Sequence, residues 1–256
     1  MKVRALILAV ALVLPAAAAS AAPPGSVQQG LKLYGRFCAS CHGPGGSGQT
    51  RYSQIGGGPA RDQIVQAGLG PPLLGVGAMA ADFYLRTGYM PLRRTGLQPR
   101  RARLLLGPRE IDALVAYVAS LGPGPRVPTP HPERGNLSEG QRLFAERCAG
   151  CHQVVGEGGY VTDAVPPPLH SATAVQIAEA VRIGPYVMPS FSATAISNGE
   201  LDSIVRYVEW TKSPDDRGGW SLGHVGPVPE GLVTWFLSMS VLVALCMLLG
   251  KRLRRG

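Results

Sequence analysis

Two short stretches carry residue types able to do chemistry at a meaningful spacing: Cys38-Ala39-Ser40-Cys41-His42 and Cys148-Ala149-Gly150-Cys151-His152. Thiols three positions apart lie about one helical turn apart, so each can bond one vinyl group of a single porphyrin. The adjacent histidine can then swing beneath the ring and offer its imidazole to the iron. C-x-x-C-H is the pattern that attaches a c-type haem. One copy is also compatible with a thiol-redox or zinc motif. Two copies in a chain that reads as exported favour covalent haem, one on Cys38 and Cys41 and a second on Cys148 and Cys151.

An iron held by a histidine needs a ligand on its other face if it is to carry electrons without binding substrate. Methionine sulfur does this and raises the reduction potential relative to a second histidine. Met90 and Met188 stand at matched places, each followed by proline. The proline removes a backbone donor and biases the methionine toward an extended backbone. The axial pairs expected are therefore His42 with Met90 and His152 with Met188. Met79, Met239 and Met247 read as packing residues. His131, His170 and His224 have no counterpart in the other half and read as surface or loop histidines. No catalytic residues are assigned, because neither a nucleophile nor a carboxylate pair stands out.

The elements that must position these groups also occur twice. Gly30 and Gly140 precede their first cysteines by eight residues, and Tyr34 and Phe144 by four, which places each set on one helix face. Glycine-rich loops follow at 43–48 and 156–159, then Pro71-Pro72-Leu73 and Pro167-Pro168-Leu169. Short helices are predicted over roughly 78–86 and 173–182. Closing helices are predicted over 110–118 and 200–208, where Ile111, Leu114, Val115 and Val118 match Leu201, Ile204, Val205 and Val208. Gly30 and Gly140 are expected to let each first helix cross its closing helix closely, near Tyr117 and Tyr207. The chain duplicated one domain.

At the ends, residues 1–22 read as a secretory signal: Lys2 and Arg4, an apolar run from Ala5 to Leu14, then Ala19-Ser20-Ala21. An uncleaved anchor is the alternative. Leu232 to Leu249 carries no charge and is long enough to span a bilayer, and Lys251-Arg252-Leu253-Arg254-Arg255 would keep the tail cytoplasmic. The predicted organisation is a signal at 1–22, a first domain at 23–122, a proline-rich linker at 123–137 and a second domain at 138–213. A pre-membrane segment at 214–230, a transmembrane helix at 231–250 and a basic tail at 251–256 complete it.

The formal charge of +9 is unevenly spread. Residues 22–125 hold 11 basic and 4 acidic residues, a balance of +7, whereas 126–230 hold 8 and 12, a balance of −4. This makes nucleic acid a poor partner and suits two halves that dock different proteins. Arg93, Arg94, Arg100, Arg101 and Arg103 crowd one segment. It reads as a solvated face, with an acidic-partner surface or pairing to haem propionates as the sharper alternative.

Taken together, the tandem pentads, the export signal and the C-terminal span resemble the dihaem cytochrome c subunit of the actinobacterial cytochrome bcc complex, the menaquinol:cytochrome c reductase. Gly75-Val76-Gly77-Ala78, Thr87-Gly88-Tyr89-Met90-Pro91-Leu92, Arg182-Ile183-Gly184-Pro185 and Met188-Pro189-Ser190-Phe191 carry the likeness. So do Gly218-Gly219-Trp220 and Gly226-Pro227-Val228-Pro229-Glu230-Gly231 before the span. The resemblance implies a mainly α fold of two tandem class I cytochrome c-like domains plus one C-terminal transmembrane helix, carrying two covalently bound haem c groups. It implies an electron-transfer subunit working with cytochrome b, the Rieske iron–sulfur subunit and an aa3-type terminal oxidase. A membrane-tethered dihaem carrier serving a cbb3-like oxidase is the first alternative, although such subunits usually place their span before the haem domains. A dihaem oxidoreductase, such as a peroxidase or thiosulfate-oxidising enzyme, is the second.

Overall fold

The structure is a computed structural model that describes residues 26–48, 70–92, 98–214 and 227–254. The expected signal segment, Arg93, Arg94, His224 and most of the pre-membrane segment lie outside the described residues. Two helical units follow one another. The first holds α1 (Val27–Phe37), α2 (Ala39–His42), α3 (Gly77–Arg86) and α4 (Pro108–Ser120). The second repeats them as α5 (Leu137–Arg147), α6 (Ala149–His152), α7 (Ala174–Ile183) and α8 (Asn198–Lys212). A final helix, α9, runs Pro227–Leu253. Among the described residues the extended pairing is limited to an isolated bridge between Val161 and Ala164.

Each unit is built on a helix crossing that two glycines make possible. A Cβ on Gly30 would collide with the Ala113 carbonyl and come within 2.6 Å of the Tyr117 Cβ. A Cβ on Gly140 would collide with the Ser203 carbonyl and lie 3.0 Å from the Tyr207 Cβ. The contact brings rings together behind each crossing: Tyr34 and Tyr117 have centroids 5.0 Å apart, Phe144 and Tyr207 5.4 Å apart. Helix ends are set by local chemistry. Ser26 and Asn136 cap α1 and α5 by accepting from the Gln29 and Glu139 amides at 3.1 and 3.0 Å. Pro108 opens α4 in the first turn, where its missing N–H costs nothing. Ser197 and Glu200 close a reciprocal capping box on α8.

The apolar stripes of the closing helices become the two cores. Leu114, Tyr117 and Val118 pack with Tyr34 and Ala81 in the first unit. Ile204, Val205, Tyr207 and Val208 pack with Leu143, Phe144, Ile177 and Val181 in the second.

The linker has no regular secondary structure from Gly124 to His131 and forms a 3₁₀ turn at Pro132–Arg134. It is laid onto both units rather than left free. The Met79 amide donates to the Pro125 carbonyl (3.1 Å), the His131 amide to Asp202 Oδ1 (2.7 Å) and Arg206 to the Gly135 carbonyl (2.6 Å). The units also meet directly, α3 against α7.

Helix α9 extends beyond the expected span at both ends. Its apolar stretch has a mean hydropathy of 2.4 and none of it is buried in the protein. An apolar helix without protein cover has length and composition to cross a membrane.

Candidate functional site: two matched apolar clefts

The local fold of each pentad follows from its hydrogen bonds. Helix α1 ends as the Cys38 amide donates to the Tyr34 carbonyl (2.8 Å), and a fresh turn starts from the Cys38 carbonyl, which accepts from Cys41 (3.1 Å) and His42 (2.9 Å). The second pentad repeats this with Phe144, Cys148, Cys151 and His152 at 2.8, 3.1 and 2.9 Å. The chain must then reverse, which requires a positive φ. Gly43 supplies it at 73°, and in the second copy the non-glycine Gln153 adopts 60°. The tyrosine that braces the turn is exchanged between copies. Tyr34 Oη donates to the Gly43 carbonyl (2.6 Å), whereas Phe144 has no hydroxyl and Tyr207 Oη on α8 donates to Val154 instead (2.9 Å).

The proline corners explain the histidines. His42 Nδ1 lies 2.8 Å from the Pro71 carbonyl, and His152 Nδ1 lies 3.1 Å from the Pro167 carbonyl. A carbonyl only accepts, so Nδ1 carries the proton in both rings. The lone pair of the neutral imidazole is then on Nε2, the tautomer a metal-binding histidine needs. Burial pushes the pKa of His152 down, opposed by its bond to Pro167, and favours that neutral form.

Met90 and Met188 lie outside the helices, and each is brought to the pentad of its own unit. Cys38, Cys41, His42 and Met90 line one cleft, of about 990 Å³ including its open side, with Phe37, Leu85, Leu106 and Leu114 among its walls. Cys148, Cys151, His152 and Met188 line the other, of about 1240 Å³, with Phe144, Ile177, Val181 and Ile204. Thiols, an imidazole with a free nitrogen and a thioether in an apolar cleft fit a covalent porphyrin iron.

The same geometry disfavours the rival readings of the pentad. Burial, with Cys41 alongside, pushes the Cys38 thiol up to about 11. Burial and Cys151 do the same for Cys148, to about 11, against the pull of Arg147. A thiol-redox centre needs a depressed thiol. Among the described residues no three His, Cys, Asp or Glu side chains converge to hold a bare metal ion, whereas structural zinc takes four such ligands.

Sequence reasoning missed the residue that holds the Met188 loop. The Arg182 guanidinium, at the end of α7, donates to the carbonyls of Phe191 (3.1 Å), Ser192 (3.0 Å) and Ile196 (2.7 Å) and to Asn198 Oδ1 (2.9 Å). A basic residue in a last helical turn just before a Met-Pro loop was the available signal. In the first unit Arg86 ends α3 but pairs with Asp82 and Asp112. The arginine-rich segment also departs from a simple solvated face. Gln98 Nε2 donates to the Val165 carbonyl, Gln98 Oε1 accepts from the Val165 amide, both at 2.7 Å, and Arg101 donates to Gln176 at 2.8 Å. That segment therefore bridges the units. His131 is half-buried beside Glu133, and His170 Nε2 donates to the Val155 carbonyl of its own loop (2.9 Å); neither lines a cleft.

Residues 27–122 match the family model described as cytochrome c, and residues 135–208 match the model described as cytochrome c oxidase, cbb3-type, subunit III. The chain is 32% identical over 244 residues to the cytochrome bc1 complex cytochrome c subunit of Corynebacterium diphtheriae, covering 88% of this chain and 81% of that protein. To the subunit of the same name from Mycobacterium tuberculosis it is 33% identical over 236 residues, covering 88% and 78%. To the cbb3-type cytochrome c oxidase subunit CcoP of Rhodobacter capsulatus it is 28% identical over 200 residues, covering 70% and 60%.

Proposed function

Because the chain belongs to the family of cytochrome bc1 complex cytochrome c subunits, we propose that it is the dihaem electron-transfer subunit of a respiratory menaquinol:cytochrome c reductase. In this reading Cys38 and Cys41 hold one haem c and Cys148 and Cys151 the other. His42 with Met90, and His152 with Met188, complete the two irons. Electrons enter from the Rieske iron–sulfur centre and leave to an aa3-type terminal oxidase, with cytochrome b as a further partner. The units stand outside the cytoplasm in the cell membrane on α9, with the basic tail inside.

Haem c, when bound, supplies an iron that cycles between ferrous and ferric states and so carries one electron. The protein's own residues do the rest. The Pro71 and Pro167 carbonyls hold each imidazole in the tautomer whose free nitrogen binds metal. The thioethers of Met90 and Met188 favour the reduced state. The apolar lining of each cleft would raise the cost of the extra positive charge on a ferric centre held there. The observation that carries the reading is the recurrence of the whole set, two thiols, an Nδ1-bonded histidine and a distant methionine, in one cleft per unit.

The chain itself contributes to the complex as an electron carrier, without catalytic residues of its own. A cbb3-type assembly is the second reading, favoured by the match of residues 135–208. Purification in mild detergent through a tag on this chain separates the two. Recovery of cytochrome b and Rieske subunits supports the proposal, and recovery of a cbb3 oxidase core overturns it. A pyridine haemochrome assay should give two haem c groups per chain; one group would refute the dihaem assignment.

A further inference from the structure

The two clefts differ in who builds them. All the described residues lining the first come from the first unit, between Phe37 and Leu114. The second is lined by its own unit and also by Phe83, Thr87, Tyr89, Gln98, Pro99 and Arg101 of the first. The crossing is fastened by hydrogen bonds. Gln98 pairs with both main-chain groups of Val165, two residues before the Pro167 carbonyl that holds His152. Arg101 donates to Gln176, a buried side chain in the first turn of α7 that also accepts from the Thr173 amide and donates to the Arg86 carbonyl.

Charge differs too. Among the described residues, the lining of the first cleft contains no lysine or arginine, whereas the second has Arg101 and its own Arg147. Arg101 lines the second cleft and is an exposed residue, with one guanidinium nitrogen reaching inward to the buried Gln176. The carboxylates of a porphyrin held in this cleft would be disfavoured against its apolar walls and favoured where the cleft opens to solvent. Guanidinium is the side chain best suited to pair with a carboxylate there.

We propose that Arg101, with Tyr89 and Gln98, forms part of the cofactor site of the second unit although the first unit supplies it. Arg101 pairs with a carboxylate of the second haem, and its charge disfavours the ferric state and raises that centre's potential. The second site is then complete only when the two units are docked. This rests on the haem assignment above.

The test uses the full-length holoprotein in detergent, with haem content and equilibrium redox titration as readouts. Titrations are made in the wild type and in a Met90→His background, which moves the first centre away and identifies the second. Arg101→Gln should lower the midpoint of the second centre and leave the first in place; Arg101→Lys should restore most of the shift. Arg103→Gln, an exposed neighbour that lines neither cleft, should move neither. Loss of the second haem in Arg101→Gln, with retention in Arg101→Lys, would equally support a charge-dependent binding role. An unchanged second midpoint, a shift of the first centre instead, or equal haem loss in both Arg101 variants would overturn the proposal. A wild type with a single haem would instead overturn the haem assignment, so the two failures are distinct.

Discussion

At the scale of single residues, position is set by main-chain carbonyls more than by side-chain partners. Each candidate histidine leans on a proline carbonyl, and each cysteine continues a helix turn. Replacing Met90 or Met188 by histidine exchanges a thioether for a second imidazole and should lower the midpoint of one centre, read by potentiometric titration. An unchanged midpoint would show that the ligand lies elsewhere. Arg182 is the residue whose importance the sequence conceals most. Arg182→Gln removes the charge-assisted bonds to Phe191, Ser192, Ile196 and Asn198 that pin the Met188 loop. The expected loss is about 1.5–3 kcal/mol of stability in denaturant titration, with a disturbed second centre and an undisturbed first.

At the scale of elements, the glycine crossings decide the architecture. Overpacking of a tight contact costs about 1–3 kcal/mol, so Gly30→Ala or Gly140→Ala should destabilise its own unit by that order in thermal melts. Gly35→Ala, where no atom lies within 4 Å of the added carbon, should be neutral or slightly stabilising. The tyrosine exchange shows the same economy. Both turns after the pentads receive one phenolic hydroxyl, from α1 in one unit and from α8 in the other. The repeat keeps a hydroxyl on the turn while moving its donor and shifting its acceptor by one position.

At the scale of the molecule, the junction between units contains a buried carboxyl pair. Glu179 on α7 is wholly buried, and neither carboxyl oxygen has a hydrogen-bond partner. Asp82 of α3 is also buried and faces it, held by Arg86. Burial, then the Asp82 charge, pushes the Glu179 pKa up to about 8, with Arg86 pulling the other way. The folded state thus holds a proton that the unfolded chain releases at an ordinary carboxyl pKa. The associated stability is complete below that ordinary value and is lost as pH rises through about 8. Glu179→Gln should flatten this decline, so the variant melts higher than wild type at alkaline pH and differs little in mild acid. A wild-type profile that does not fall across that window would contradict it.

The sequence by itself determined everything that depends on local spacing. The pentads, the Met-Pro pairs, the helix stripes and the apolar run are local patterns, and they were enough to name two groups of four candidate site residues and the duplicated fold. Tertiary structure decided what spans long distances along the chain. Gln98 meets Val165 across 67 positions, and Arg101 meets Gln176 across 75. Which carbonyl takes each imidazole proton and which tyrosine braces each turn follow from packing within each unit, and which unit walls the second cleft follows from how α3 docks on α7. That docking is set by packing and burial between remote segments, for which a linear pattern has no period to read.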